Sequence, residues 1–134
     1  AAADLRVRGA GDVAIAALDA NDIARHADVM DVAWRQWAGI DHALVAHGVL
    51  PEQAECERSV DAALASFDTN ARSVLALATD LANRFEAQGS GALALVSSPA
   101  GDRGRQSNYV YGAAKAAVTV LASGLRHRLA ARGV

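Results

Sequence analysis

The 134-residue chain has one cysteine, two prolines, one methionine and two each of Trp, Tyr and Phe. A single thiol, Cys56, cannot close an internal disulfide, so a reduced, cytoplasmic setting with no redox role for Cys56 is the expectation. A basic excess is also missing. Lys and Arg number 13 against 15 Asp and Glu, for a formal net charge of -2, and no Lys/Arg-rich run occurs. That excludes nucleic-acid binding driven by bulk charge. No apolar stretch reaches bilayer length, so no membrane span is expected. The opening AAADLRVRGAGD lacks the basic-then-apolar order of a secretory signal. No metal site is read from the sequence.

What is present is an ordinary globular composition, 52% hydrophobic and 21% charged. It is too apolar for a disordered tail. Alanine fills 33 positions, which favours close packing of helices and strands. Twelve of the 13 basic residues are arginine, and Lys115 is the single lysine. Ammonium and guanidinium are not interchangeable, so either that position needs an amine or the bias is chance.

The chain reads as helices alternating with short strands. Residues 1–9 look like a helix end, stopped by Gly9 and Gly11. Val13–Leu18 (VAIAAL) is a short apolar run between Asp12 and Asp19 and is expected to be a buried strand. Asn21 or Asp22 is a candidate N-cap for a helix to about Trp37, with Ile23, Ala27, Met30 and Trp34 at helical spacing. His42–Ala46 and Ala92–Ser97 are two further strands. Between them a helical pattern runs from about Ala54 to Gln88, bent near Thr69–Asn70. A last helix covers about Tyr109–Arg132 with Gly133 as its stop. Alternation of this kind implies an α/β fold, a doubly wound parallel sheet in three α/β/α layers. Sites in such sheets lie beyond the carboxyl ends of the strands. Asp19, the 46–48 turn and Ser97–Ser98 follow strand ends and are expected to converge.

Tyr111 and Lys115 stand four apart, on one face of the last helix. An ammonium beside a phenol favours the phenolate, which suits proton transfer near neutral pH. The same pair also fits an amphipathic surface. A hydroxyl at Ser97 or Ser98 could hydrogen-bond a substrate carbonyl or the oxyanion developing on it, or serve as a turn or cap serine before Pro99. Asn70 could be a site residue or a local cap after Thr69.

The segment LVSSPAGDRGRQSNYVYGAAKAAV, residues 95–118, resembles the active-site segment of the short-chain dehydrogenase/reductase family. That family has a strand-end serine followed about thirteen residues later by Tyr-x-x-x-Lys, matched by Ser98, Tyr111 and Lys115. FDTNARSVL, residues 67–75, resembles the segment with the family's active-site asparagine, which matches Asn70. Asp19 in AALDAND resembles the aspartate that contacts the adenine ring. Where the family usually has Asn-Asn-Ala-Gly, this chain reads Val45-Ala46-His47-Gly48. His47 then stands as a structural or cofactor-adjacent residue, not a base. AHGVLPEQ looks like a bacterial subgroup related to keto-sugar reductases acting on lipid-linked pentose.

The resemblance implies a Rossmann-like NAD(P)-dependent oxidoreductase interconverting a carbonyl and an alcohol. Asn70, Ser98, Tyr111 and Lys115 would be catalytic. Asp19, Ala46, His47, Gly48, Tyr111 and Lys115 would contact NAD or NADP. Partners would be a small carbonyl or alcohol substrate and further copies of the chain, as a homodimer or homotetramer. Ala113, Ala117, Val120 and the outer face of residues 72–86 are the candidate contact surface. An epimerase or dehydratase on the same scaffold, an inactive fragment and a non-catalytic nucleotide-binding member are the alternatives. The family's glycine-rich turn and second strand have no match in the sequence. Residues 1–134 therefore read as the central part of a single Rossmann-type domain of roughly 250 residues.

Overall fold

The structure is a computed structural model that describes residues 2–134. Helix α1 (Ala2–Val7) opens it, and a 3-10 turn at Ile23–Arg25 leads into α2 (His26–Gln36). Strand β1 (His42–Val45) follows. Then come α3 (Gln53–Arg58), α4 (Val60–Phe67), a π-helical turn (Asp68–Arg72) and α5 (Ser73–Gln88). Strand β2 (Ala92–Leu95), a 3-10 turn (Pro99–Gly101) and α6 (Tyr109–Leu129) complete the order. The helix end expected over residues 1–9 is present, with Ala1 outside the described residues. Gly133, at φ 79°, closes the last helical segment.

The strands pair in parallel, His42 with Ala92 through Val45 with Leu95. Parallel pairing requires a crossover, which residues 53–88 supply. Alternation sends Ala43, Val45, Leu93 and Leu95 to one face, where they pack with Val74, Leu77, Leu81 and Val118 of α5 and α6. The residues of β1 and β2 between them turn the other way, and Leu44 there is 66% exposed. In α5, Val74, Leu77, Ala78, Leu81, Ala82 and Phe85 recur at three- and four-residue spacing, and all are buried.

Met30 and Trp34 bring α2 onto this core, and Trp34 meets Phe85 edge-on at 5.4 Å. Arg84 lies over the Trp34 ring and reaches Asp31 at 2.7 Å and Asp80 at 3.0 Å, fixing α2 to α5.

Three expectations need correction. Val13–Leu18 is not a buried strand: it has no ladder partner, and Ile15 is 76% exposed. An apolar run favours burial, but a strand also needs a neighbour for its backbone groups. Among the described residues the sheet has two strands only, and neither lies beside residues 13–18. Second, Asp22 precedes the 3-10 turn without a capping side-chain bond. The Asn21 amide instead donates to Thr69 Oγ1 at 2.9 Å, 48 residues away.

Third, the long helical pattern is broken twice. The expected bend at Thr69–Asn70 is the π-turn. A further break falls at Ser59, whose extended backbone and hydroxyl, accepting from Ala62 N at 3.2 Å, start α4 anew.

Candidate active site

The Ser98–Tyr111–Lys115 set is built where the 3-10 turn after β2 meets the start of α6. A β-carbon on Gly101 would lie 2.7 Å from Ala116 N, and one on Gly112 would lie 2.6 Å from Ala100 O. Two absent side chains thus let turn and helix touch backbone to backbone. Ser98 is held in extended backbone at that turn, and its Oγ accepts from Ala100 N at 3.2 Å. Its hydroxyl proton has no acceptor in that bond and remains able to donate. Ser97 is spent differently: its Oγ donates to Lys115 O at 3.0 Å and lies 2.6 Å from Thr119 Oγ1. The two serines are therefore distinguishable by their partners, which their adjacency in sequence concealed.

One turn along α6, Lys115 lies below Tyr111 with Nζ 5.8 Å from the ring centroid. Lys115 is 3% exposed, and Nζ donates to Val96 O at 2.9 Å. Burial pulls its pKa below the ordinary 10.5.

Asn70 is fully buried at the π-turn. Its Oδ1 accepts from Val49 N at 2.9 Å, and Nδ2 donates to Val49 O at 2.8 Å and Ser66 O at 2.9 Å. Both amide protons are thereby committed. A β-carbon on Gly48 would come 2.8 Å from Asn70 Oδ1 and 3.5 Å from Lys115 Nζ. Having no side chain, the glycine lets these two polar atoms approach the backbone of the loop closely.

His47 Nε2 lies 2.7 Å from Ser73 Oγ. Ser73 gives its own proton to Thr69 O at 2.7 Å, so His47 donates through Nε2 and keeps Nδ1 as an acceptor. Burial first, then the charge of Lys115 and then His26, hold His47 below its ordinary 6.5. Ala46 is exposed at the end of β1. Asp19 is also exposed, and its Oδ1 accepts from Asn21 N at 2.9 Å in a local turn. Through Asn21 that turn is tied to Thr69, beside Asn70. The three segments expected to converge do so around the π-turn and Lys115.

Sequence reasoning missed Gln53, whose Oε1 accepts from Val110 N at 3.3 Å at the start of α6, and Ser73. Their partners stand 57 and 26 residues away, and no local pattern announces such bonds.

A family-wide profile described as short chain dehydrogenase matches residues 1–134. The chain belongs to the short-chain dehydrogenase family. It is 38% identical over 133 residues to uncharacterized oxidoreductases of Mycobacterium tuberculosis, in strain H37Rv and in strain CDC 1551 / Oshkosh. The match takes in 99% of this chain and 53% of each relative, so the chain spans about half their length.

Among solved structures, a short-chain type dehydrogenase/reductase from Mycobacterium marinum superposes at TM-score 0.89 with 24% identity, over 99% of this chain and 53% of that one. NAD+-bound xylitol dehydrogenase superposes at TM-score 0.88 with 18% identity, over 98% and 51%. The fold is the Rossmann-like α/β fold of short-chain dehydrogenases, of which these residues form an incomplete part. No described helix is long and apolar enough to cross a membrane.

Proposed function

We propose that the protein carrying this chain is an NAD(P)-dependent oxidoreductase that interconverts a small carbonyl compound and its alcohol. The observation that carries the reading is the Tyr111–Lys115 pair, with the lysine ammonium buried 5.8 Å from the phenol ring. Gly48 and Lys115 suit the sugar end of a dinucleotide: the glycine, with no side chain of its own, allows close approach to its backbone, and the ammonium donates to one backbone carbonyl among the described residues. Asp19 and Ala46, both exposed, and the half-buried His47 would extend the same side of the site towards the adenine end. When bound, the dinucleotide supplies or takes up hydride.

The residues of this chain manage the oxygen and the proton. Tyr111 gives a proton to the carbonyl oxygen in reduction and removes it from the alcohol in oxidation. The Lys115 charge stabilises the phenolate that this leaves. The free hydroxyl proton of Ser98 donates to the same oxygen as negative charge develops on it. Asn70 keeps an Oδ1 lone pair for a water behind Lys115, its amide protons being held by Val49 and Ser66.

Tyr111→Phe removes the proton donor and leaves the ring. Turnover is expected to fall by about 10²–10⁴-fold while NADH or NADPH binding stays within a few-fold. The measurement is dinucleotide oxidation with a panel of ketones and keto-sugars, beside a fluorescence titration of the cofactor. Retained turnover rejects Tyr111 as the acid. Product formed without net dinucleotide oxidation points instead to an epimerase or dehydratase.

We also propose a homo-oligomer joined through α5 and α6. Ala113 and Ala117 face outward, Val120 is 72% and Leu75 50% exposed. Between the two helices an apolar groove of about 420 Å³ is lined by Phe67, Ala71, Leu75, Ala117 and Leu121.

A further inference from the structure

The segment AHGVLPEQ, residues 46–53, departs from the family pattern, and the chemistry above uses only its backbone around Gly48. Its side chains are not idle. His47 donates to Ser73 at the head of α5. Val49 is held through both its N–H and its C=O by Asn70 in the π-turn. Gln53 accepts from Val110 N in the first turn of α6, one residue before Tyr111. The segment thus leaves β1, grips the element that holds Asn70 and ends on the helix that holds Tyr111 and Lys115.

We propose that residues 47–53 form a brace, with His47 and Gln53 as positioning residues that set Asn70 against Lys115 and Tyr111 for proton transfer. The inference rests on the oxidoreductase reading and adds to it two residues that touch no reacting atom.

The geometry favours this over simple loop packing. Gly48 lies between the two anchors, and because a β-carbon there would come 2.8 Å from Asn70 Oδ1 and 3.5 Å from Lys115 Nζ, its bare backbone is where the segment approaches both atoms closely. If His47 let go of Ser73, the backbone at Gly48 could move relative to both atoms. Displacements of about 1 Å can cost on the order of 10²-fold in rate without touching the reactants. The donor atom matters more than the ring. Glutamine places its amide nitrogen close to where histidine places Nε2, so His47→Gln can keep the bond that His47→Ala removes.

The test uses the whole natural polypeptide and three variants, His47→Ala, His47→Gln and Gln53→Ala. In His47→Ala, kcat should fall about tenfold, the substrate KM should change less than about twofold and the acid limb of the pH–rate profile should shift, with most of kcat recovered in His47→Gln. A folded His47→Ala whose kcat lies within about twofold of the parent overturns the proposal. If His47→Ala does not fold, Ser73→Ala breaks the same bond from its other end and is judged by the same numbers.

Hydrogen exchange reads the brace independently of turnover. The Val49 amide should exchange faster in His47→Ala and the Val110 amide faster in Gln53→Ala, and unchanged exchange at both overturns the brace. A parent protein that turns over no carbonyl compound defeats the oxidoreductase reading, and exchange alone then decides whether the brace exists.

Discussion

At Lys115 the demands of stability and chemistry conflict. An ammonium 3% exposed, with Val96 O as its hydrogen-bond partner, is costly to bury. Its depressed pKa means that the unfolded chain holds the proton to higher pH than the folded one. Stability therefore rises as pH climbs from the depressed value towards the ordinary 10.5. Lys115→Met is expected to stabilise the protein at neutral pH by about 1 kcal/mol, to flatten that alkaline gain and to abolish turnover. Thermal melts across pH, beside the dinucleotide assay, check all three.

His47 works in the opposite pH range. Folding favours its neutral form, so its contribution is complete above 6.5 and is lost as pH falls through the depressed folded value. The Tm of His47→Gln is expected to drop less than that of the parent between about pH 7 and pH 5. An equal drop in both proteins would assign the acid sensitivity to other groups.

Among elements, those that carry their own punctuation were the legible ones. Strand β2 has an apolar run after Gly89-Ser90-Gly91, and α6 has periodicity, the Tyr–Lys spacing and Gly133. The bend at Thr69–Asn70 was legible as a place but not as a π-turn, because one extra residue in a helical turn changes no composition. Residues 13–18 misled for a related reason. Their apolar character is local, whereas pairing depends on a neighbour that local sequence does not display. The site followed the same division. Ser98, Tyr111 and Lys115 are near in sequence, while Gln53 and Ser73 take part through distant bonds.

The contact between the 3-10 turn and α6 carries a prediction of its own. Gly112→Ala forces a β-carbon to 2.6 Å from Ala100 O, and the turn must give way. A destabilisation of about 1–3 kcal/mol is expected, with a loss of kcat larger than any change in cofactor affinity. Denaturant melts and initial rates measure the two effects separately.

At the scale of the described residues together, helices pack on one face of a two-stranded sheet, and an apolar groove is lined by residues of α5 and α6. Val120→Glu places a charge on that surface. If copies of the protein meet there, light scattering should show the particle mass falling by about half, with each chain still folded. An unchanged mass would move the contact elsewhere or remove it.

Gly101 and Gly112 bear on none of the reacting atoms, yet they let the turn that follows Ser98 meet the helix of Tyr111 backbone to backbone. The tolerance at that seam is smaller than one methyl group. Sequence drift can therefore remake the rims of this site freely, while the two positions where nothing protrudes stay closed to every larger residue. A survey of tolerated substitutions would register them as sharply as the tyrosine itself.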